Sequence, residues 1–218
     1  NCSKVTIRNF SYPISIQSKD TRNEIISIFK GTTPNKHGFV NHFHLHYSNI
    51  MTVCYYLVRL NPFAFKMISL QNNTFDCPSR LFHSFYELLT LLINLKDNRE
   101  LVPELFYLPE IFVNLNYFNF GKRNSDTIRV HNLLFEDYYE RFHDNNTLST
   151  NNPVEFMCRY RRLLESKVIS NQIHNWIDNI FGIYQYIKDY KENLTHCNTF
   201  HKYSYEENIS LINKLNSM

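Results

Sequence analysis

Apolar residues return every three or four positions in several stretches of the chain, and each such stretch predicts a helix. The sharpest is SRLFHSFYELLTLLINL (79–95), where Leu81, Phe85, Leu88, Leu89, Leu92 and Leu95 fall at helical spacing. SNQIHNWIDNIFG (170–182) places Ile173, Trp176, Ile177, Ile180 and Phe181 on one face, with Ser170 as cap and Gly182 as stop. NPVEFMCRYRRLLES (152–166) opens on Asn152 as N-cap, with Pro153 at the first helical position. TRNEIISIFKG (21–31) pairs Thr21 with Glu24 as a capping box and ends on Gly31. SNIMTVCYYLVRL (48–60) predicts a buried helix closed by Asn61-Pro62. SYEENISLINKL (204–215) predicts a final amphipathic helix with Ser204 and Glu207 as its box. FAFKMISLQNN (63–73) is short and ambiguous.

One stretch breaks the pattern. ELVPELFYLPEIFVNLNYF, Glu100 to Phe118, is too long and apolar for a surface loop. Pro103 and Pro109 exclude both a single helix and a single central strand. TTPNKHGF (32–39) is turn-rich, and HDNNTLSTNN (143–152) is an asparagine-rich loop before the last helices. No repeat and no shift of composition marks a second domain. The expectation is a mainly α fold with a long non-regular centre, forming one domain over residues 1–218.

Composition refines this picture. The chain has 218 residues and is 43% hydrophobic, enough for one sizeable core. Ala64 is the single alanine, so the helices must be held by tertiary packing. A net charge of +3, without a basic stripe, gives no reason to expect nucleic acid as a partner. The RYRR cluster, Arg159 to Arg162, is flanked by Glu155 and Glu165 and reads as a solvated helix face. The five cysteines are scattered and form no C-x-x-C, which favours a reducing compartment over a disulfide framework or zinc ribbon. No run of about 20 apolar residues exists to span a bilayer, and the sequence shows no signal-peptide pattern.

Several blocks together resemble the BEACH (Beige/Chediak-Higashi) domain. They are FHS (Phe82, His83, Ser84), LVPELFYLPEIFVNLNYFNFG (101–121), LLES (163–166), WIDNIFG (176–182) and NTFHKYSYE (198–206), in the family's order and at similar spacing. PISIQ (13–17), HFHLHYS (42–48) and YLVRLNPF (56–63) are similar to its earlier landmarks. FEDYY (135–139), His44-Leu45 and Tyr186-Ile187 depart from its usual residues. The resemblance covers essentially the whole chain and implies buried extended, non-regular core segments flanked by helices. It also implies that the family's opening helical segment, its pleckstrin-homology-like domain and its WD repeats lie outside this sequence.

The family-motif residues expected to build that core are Phe82, His83, Ser84, Pro103, Glu104, Phe106, Tyr107, Pro109, Glu110, Asn114, Asn116, Gly121, Trp176, Ile177, Asp178, Phe181 and Gly182. Proline removes a donor and pre-orders the backbone. Glu104, Glu110, Asn114 and Asn116 are expected to satisfy buried backbone that no helix or sheet serves. Asp178 is expected to bond neighbouring loop backbone. Trp176, Phe181, Phe106, Tyr107 and Phe82 are expected to be buried in one cluster. Residues 101–121 are expected to be irregular yet mostly inaccessible. An apolar surface within Phe10–Leu60 is expected where the missing segments join.

Catalytic chemistry finds thin support. Glu104 and Glu110 could pair as acid and base, but no nucleophile, metal cluster or phosphate loop accompanies them. His42, His44 and His46 alternate, so in an extended segment they would share one side, and imidazole suits zinc or copper. A metal-dependent hydrolase on these three is therefore one alternative, and a peripheral phospholipid binder using Arg159, Arg161 and Arg162 is another. His83 and Ser84 near Asp76 invite a relay, but neighbours on a helix point about 100° apart and no G-x-S-x-G elbow exists. The resemblance implies instead a non-enzymatic, cytoplasmic protein-interaction or scaffolding module without a catalytic residue, cofactor or metal. Its partners would be the pleckstrin-homology-like domain and trafficking factors, with indirect, peripheral association with endomembranes.

Overall fold

The computed structural model describes residues 8–32, 40–75, 80–93, 97, 99–122, 129–133, 152–185, 189–210 and 213. These residues are mainly helical and form no sheet; isolated bridges join Phe43 to Phe200 and Lys122 to Arg129. The chain divides into two compact units. The first comprises Asn1–Tyr47, Leu92–Glu100 and Ser170–Met218, and the second Ser48–Leu91 and Leu101–Ile169.

In the first unit, helix α1 (Lys19–Gly31) starts one turn earlier than the predicted box, because Ser18 caps it by accepting from the Thr21 N–H. Its Ile25 meets Ile16, Phe43, Tyr47, Ile180, Cys197 and Phe200 in one apolar cluster, with Trp176 and Tyr205 packed at its edge.

Four longer helices belong wholly or mainly to the second unit. They are α2 (Ile50–Tyr56), α3 (Phe63–Leu70), α4 (Phe85–Leu92) and α5 (Pro153–Leu164). The ambiguous FAFKMISL segment is thus helical, burying Ala64 and Met67. Helix α5 begins as the sequence predicts, with Asn152 accepting from the Val154 and Glu155 N–H groups and Pro153 at its first position. Helix α4 is much shorter than the predicted 79–95. Leu81, Phe82, His83 and Ser84 precede it and are buried, and the Ser84 hydroxyl accepts from Glu87 N–H at its start.

A one-turn helix, α6 (Lys167–Ser170), precedes α7 (Ile173–Ile180) of the first unit, so Ser170 ends α6 where it was predicted to cap α7. Helix α8 (Tyr190–His196), which the hydropathy pattern does not announce, is capped by Asp189. The predicted C-terminal helix begins as a 3-10 turn at Glu206–Asn208.

The proline-rich centre forms two successive 3-10 turns, Pro103–Phe106 and Pro109–Phe112, each with proline at its start. Both pack on α5. Leu105, Ile111, Phe112, Asn114 and Phe120 are buried, while Pro103, Tyr107, Glu110, Leu115, Asn116, Tyr117 and Asn119 are exposed. The segment is irregular as expected but not mostly inaccessible: it is a corrugated strip with one face inward. The asparagine-rich loop (143–152, apart from Asn152), FEDYY, Tyr186-Ile187 and Asp76 lie outside the described residues.

Candidate functional site

Among the described residues, each unit buries one Lys, Arg, Asp or Glu side chain, and that side chain organises irregular backbone. In the first, the carboxylate is Glu100, at the very start of the proline-rich stretch and only 4% exposed. Its two oxygens accept both Nη atoms of Arg8, at 3.0 and 3.1 Å. Oε1 also accepts the Ile14 N–H at 2.9 Å, and Oε2 the Trp176 indole N–H at 3.4 Å. One carboxylate therefore ties the PISIQ turn, α7 and the segment around Arg8 together. This is the use of a buried acid that the sequence suggests for Glu104 and Glu110, displaced to Glu100.

In the second unit the buried charge is Arg59, 1% exposed in the middle of YLVRLNPF. Its guanidinium donates to the carbonyls of Phe82 and His131, and lies 5.5 Å from the Phe120 ring centroid. Burial pushes this guanidinium down to about 9. No carboxylate pairs with it among the described residues. Its own carbonyl accepts the Asn116 side-chain amide at 3.1 Å.

The motif residues find varied places. Asn114 is buried and its side chain both donates to the Phe118 carbonyl and accepts the Phe118 N–H. Glu104 and Glu110 serve the backbone only through their carbonyls, which accept from Tyr107, Leu108 and Val113. The Glu104 carboxylate instead faces the Tyr107 phenol, which is pushed up by lost solvation first and by that carboxylate second. Gly121 takes a φ of 81°, in the region that favours glycine. At Gly182 a Cβ would stand 2.8 Å from the Asp178 Cα, so only glycine lets the chain turn off α7 there. For Asp178 itself, the described residues show no hydrogen bond to loop backbone.

The expectation that all five aromatics are buried fails, because Tyr107 and Phe181 are exposed. Phe82 is buried beside Tyr55, Tyr56 and Phe85. Phe106 is half-buried and stacks on Tyr160 at 4.8 Å. Trp176 is half-buried and meets Phe181 edge-on at 5.1 Å. Tyr107 and Phe181 are 52% and 53% exposed. Trp176 and Phe181 belong to the first unit and the other three to the second. Ile177 and Ile183 are exposed as well. Within 10–60, Ile28, Leu45, Ile50 and Met51 are exposed.

The catalytic alternatives meet different surroundings. His42 is buried, stacks on Phe29 at 4.1 Å and shares a 2.7 Å hydrogen bond with the Thr199 hydroxyl; burial pushes its imidazole down to about 4. His44 is exposed, and His46 is half-buried against Tyr47 and Phe200. Because the segment is not a strand, the alternation does not place the three imidazoles on one side. Among the described residues no three His, Cys, Asp or Glu side chains are placed to hold a metal. His83 uses Nδ1 on the Leu81 carbonyl and Nε2 on Glu87, at 2.9 and 3.0 Å. Arg159 pairs with Glu155, and Arg161 lies 3.9 Å from Glu165 at the C-terminal cap of α5. No helix among the described residues is long and apolar enough to cross a membrane.

The profile of the Beige/BEACH domain matches residues 1–218. Beige protein homolog 1 of Schizosaccharomyces pombe is 34% identical over 95% of the chain, and the human lysosomal-trafficking regulator 32% over 91%. The mouse WD repeat- and FYVE domain-containing protein 4 is 33% identical over 94%. The matched regions span 8%, 5% and 6% of those three proteins.

Proposed function

The chain belongs to the Beige/BEACH domain family, and from that premise we propose that it is a non-enzymatic protein-interaction module within a scaffold for vesicle traffic. The name of one relative, a lysosomal-trafficking regulator, supports a lysosome-related setting, to which the proposal adds autophagic membrane dynamics. The family profile runs through both units without a break, which supports treating 1–218 as one domain. A cytoplasmic location, peripheral to endomembranes and reached through protein partners, completes the reading. Those partners are trafficking factors and a pleckstrin-homology-like domain.

The observation that carries this proposal is how the motif side chains are used. His83, Ser84, Asn114 and Asn116 are committed to backbone groups and near neighbours. Motifs spent on internal satisfaction specify a shape, and shape serves recognition. The test is affinity purification of the parent protein with and without residues 1–218, read by mass spectrometry. A set of protein partners should disappear with the deletion; retention of every partner would refute the reading.

A further inference from the structure

The turn from Asn114 to Phe118 holds an aromatic side chain outward at a steric cost. Tyr117 has a φ of 54°, in the left-handed region where a bulky residue is an outlier. It is 83% exposed, so core packing does not offset that cost. The backbone is nevertheless fixed from several sides. The Tyr117 N–H donates to the Asn114 carbonyl at 3.2 Å, and the Asn114 side chain clamps both backbone groups of Phe118. The Asn114 N–H donates to Asn132, and Asn116 is tied to the Arg59 carbonyl. Strain that the surroundings over-determine, at a solvent-facing tyrosine, points to function.

The neighbourhood has a definite chemistry. Leu115 is 61% exposed beside Tyr117. Phe65, 60% exposed, meets Phe118 edge-on at 6.1 Å. Lys66 follows Phe65 on α3, and the Arg129 guanidinium donates to Asn119, two residues past Tyr117. Lys122 bridges to Arg129. Among the described residues of α3 and of 111–133, the formally charged side chains are Lys66, Lys122 and Arg129, all basic. We propose that this turn is a docking knob, with Tyr117 as anchor, for a protein segment offering an apolar pocket rimmed by carboxylates. A fixed, strained aromatic suits a shaped pocket, because pre-organisation lowers the ordering cost of binding there. A fluid bilayer makes no comparable demand on side-chain direction. The inference rests on the interaction-module reading and names the partner's chemistry.

The probe is a displayed random-peptide library panned against the chain. Selected peptides should carry Asp or Glu flanking a large apolar residue. Tyr117→Asn should weaken them about tenfold or more, the range of an interface anchor, and Arg129→Glu should weaken them as well. Asparagine tolerates the left-handed region, so the thermal midpoint of Tyr117→Asn should equal or exceed that of the parent chain. Failure to recover any acidic peptide that depends on Tyr117 would overturn the proposal. So would Tyr117-dependent sedimentation with phosphatidylcholine–phosphatidylserine vesicles in place of peptide binding, which would assign the turn to a membrane. Partners that vanish with residues 1–218 but survive Tyr117→Asn would also overturn it, while leaving the module reading intact.

Discussion

In the first unit the buried charge is a carboxylate with a cation beside it; in the second it is a guanidinium held by carbonyls and the face of a ring. Glu100 has Arg8 within 3.0 Å and also gathers one backbone N–H and one indole. Arg59 has Phe82, His131 and Phe120. A buried pair loses desolvation energy twice but regains it by mutual attraction. A lone guanidinium must be compensated by partial charges, so every carbonyl pointed at it counts. The comparison teaches that irregular backbone can be organised from either sign of charge without complete matching, since the buried Arg8 Nε and Arg59 Nη2 have no hydrogen-bond partner among the described residues.

The comparison breaks most visibly at Arg59. Arg59→Ala removes donors from two carbonyls and empties a filled volume, and is expected to cost roughly 3–5 kcal/mol. Urea unfolding followed by circular dichroism measures it; a loss under about 1 kcal/mol would show that Arg59 is not a node. Glu100→Gln keeps the shape but leaves Arg8 and the indole with a neutral partner, at a cost of about 3 kcal/mol. The chain has a single tryptophan, Trp176, so fluorescence reports the first unit directly. If Glu100→Gln leaves the fluorescence midpoint unchanged, the carboxylate does not hold that unit together.

Acid sharpens the contrast. His42 in the folded chain is held near 4, below its ordinary 6.5, because burial disfavours the charged ring. The unfolded chain therefore takes up the proton first. The stability that neutral His42 contributes is present in full above pH 6.5 and is lost as pH falls towards 4, about 3 kcal/mol in all. A His42→Phe chain, which keeps the stack on Phe29, should show a shallower loss over that window. Arg59, held near 9, stays charged throughout it. An unchanged slope in His42→Phe would place the acid sensitivity elsewhere. The smallest expected effect is Trp176→Phe, which gives up one 3.4 Å hydrogen bond to Glu100 at a half-buried site, about 1 kcal/mol by chemical denaturation. A loss matching that of Glu100→Gln would mean that the indole, not Arg8, is the carboxylate's main partner.

What could be read beforehand follows the range of the interactions. Helix α5 was legible to its first residue, because Asn152 and Pro153 act on backbone two or three positions away. The family blocks made the mainly α fold legible as well. Helix α4 was over-extended, since Leu81 continues the apolar period although it is buried in a non-helical approach. Helix α8 was missed because YKENLTH is nearly all polar and its start rests on one aspartate. Arg8, Arg59 and Glu100 were missed for another reason. Their partners lie 92, 72 and 86 residues away, and no local period encodes such pairs. The usable signal was an arginine with apolar neighbours on both sides in YLVRLNPF: such a charge is either buried with partners or displayed.

The two proline-led turns carry a consequence for amide exchange. In a helix, protection is shared along a run of successive N–H groups. Here the bonded amides fall in two short runs, Leu105, Phe106, Tyr107 and Leu108 in the first turn and Ile111, Phe112 and Val113 in the second, while Pro103 and Pro109 have none. Slow deuterium uptake in residues 101–121 should thus include two short runs, interrupted at Pro109 and Glu110. Because both turns lean on α5, a local opening of α5 should release the two runs together, as one cooperative event in the isotope pattern.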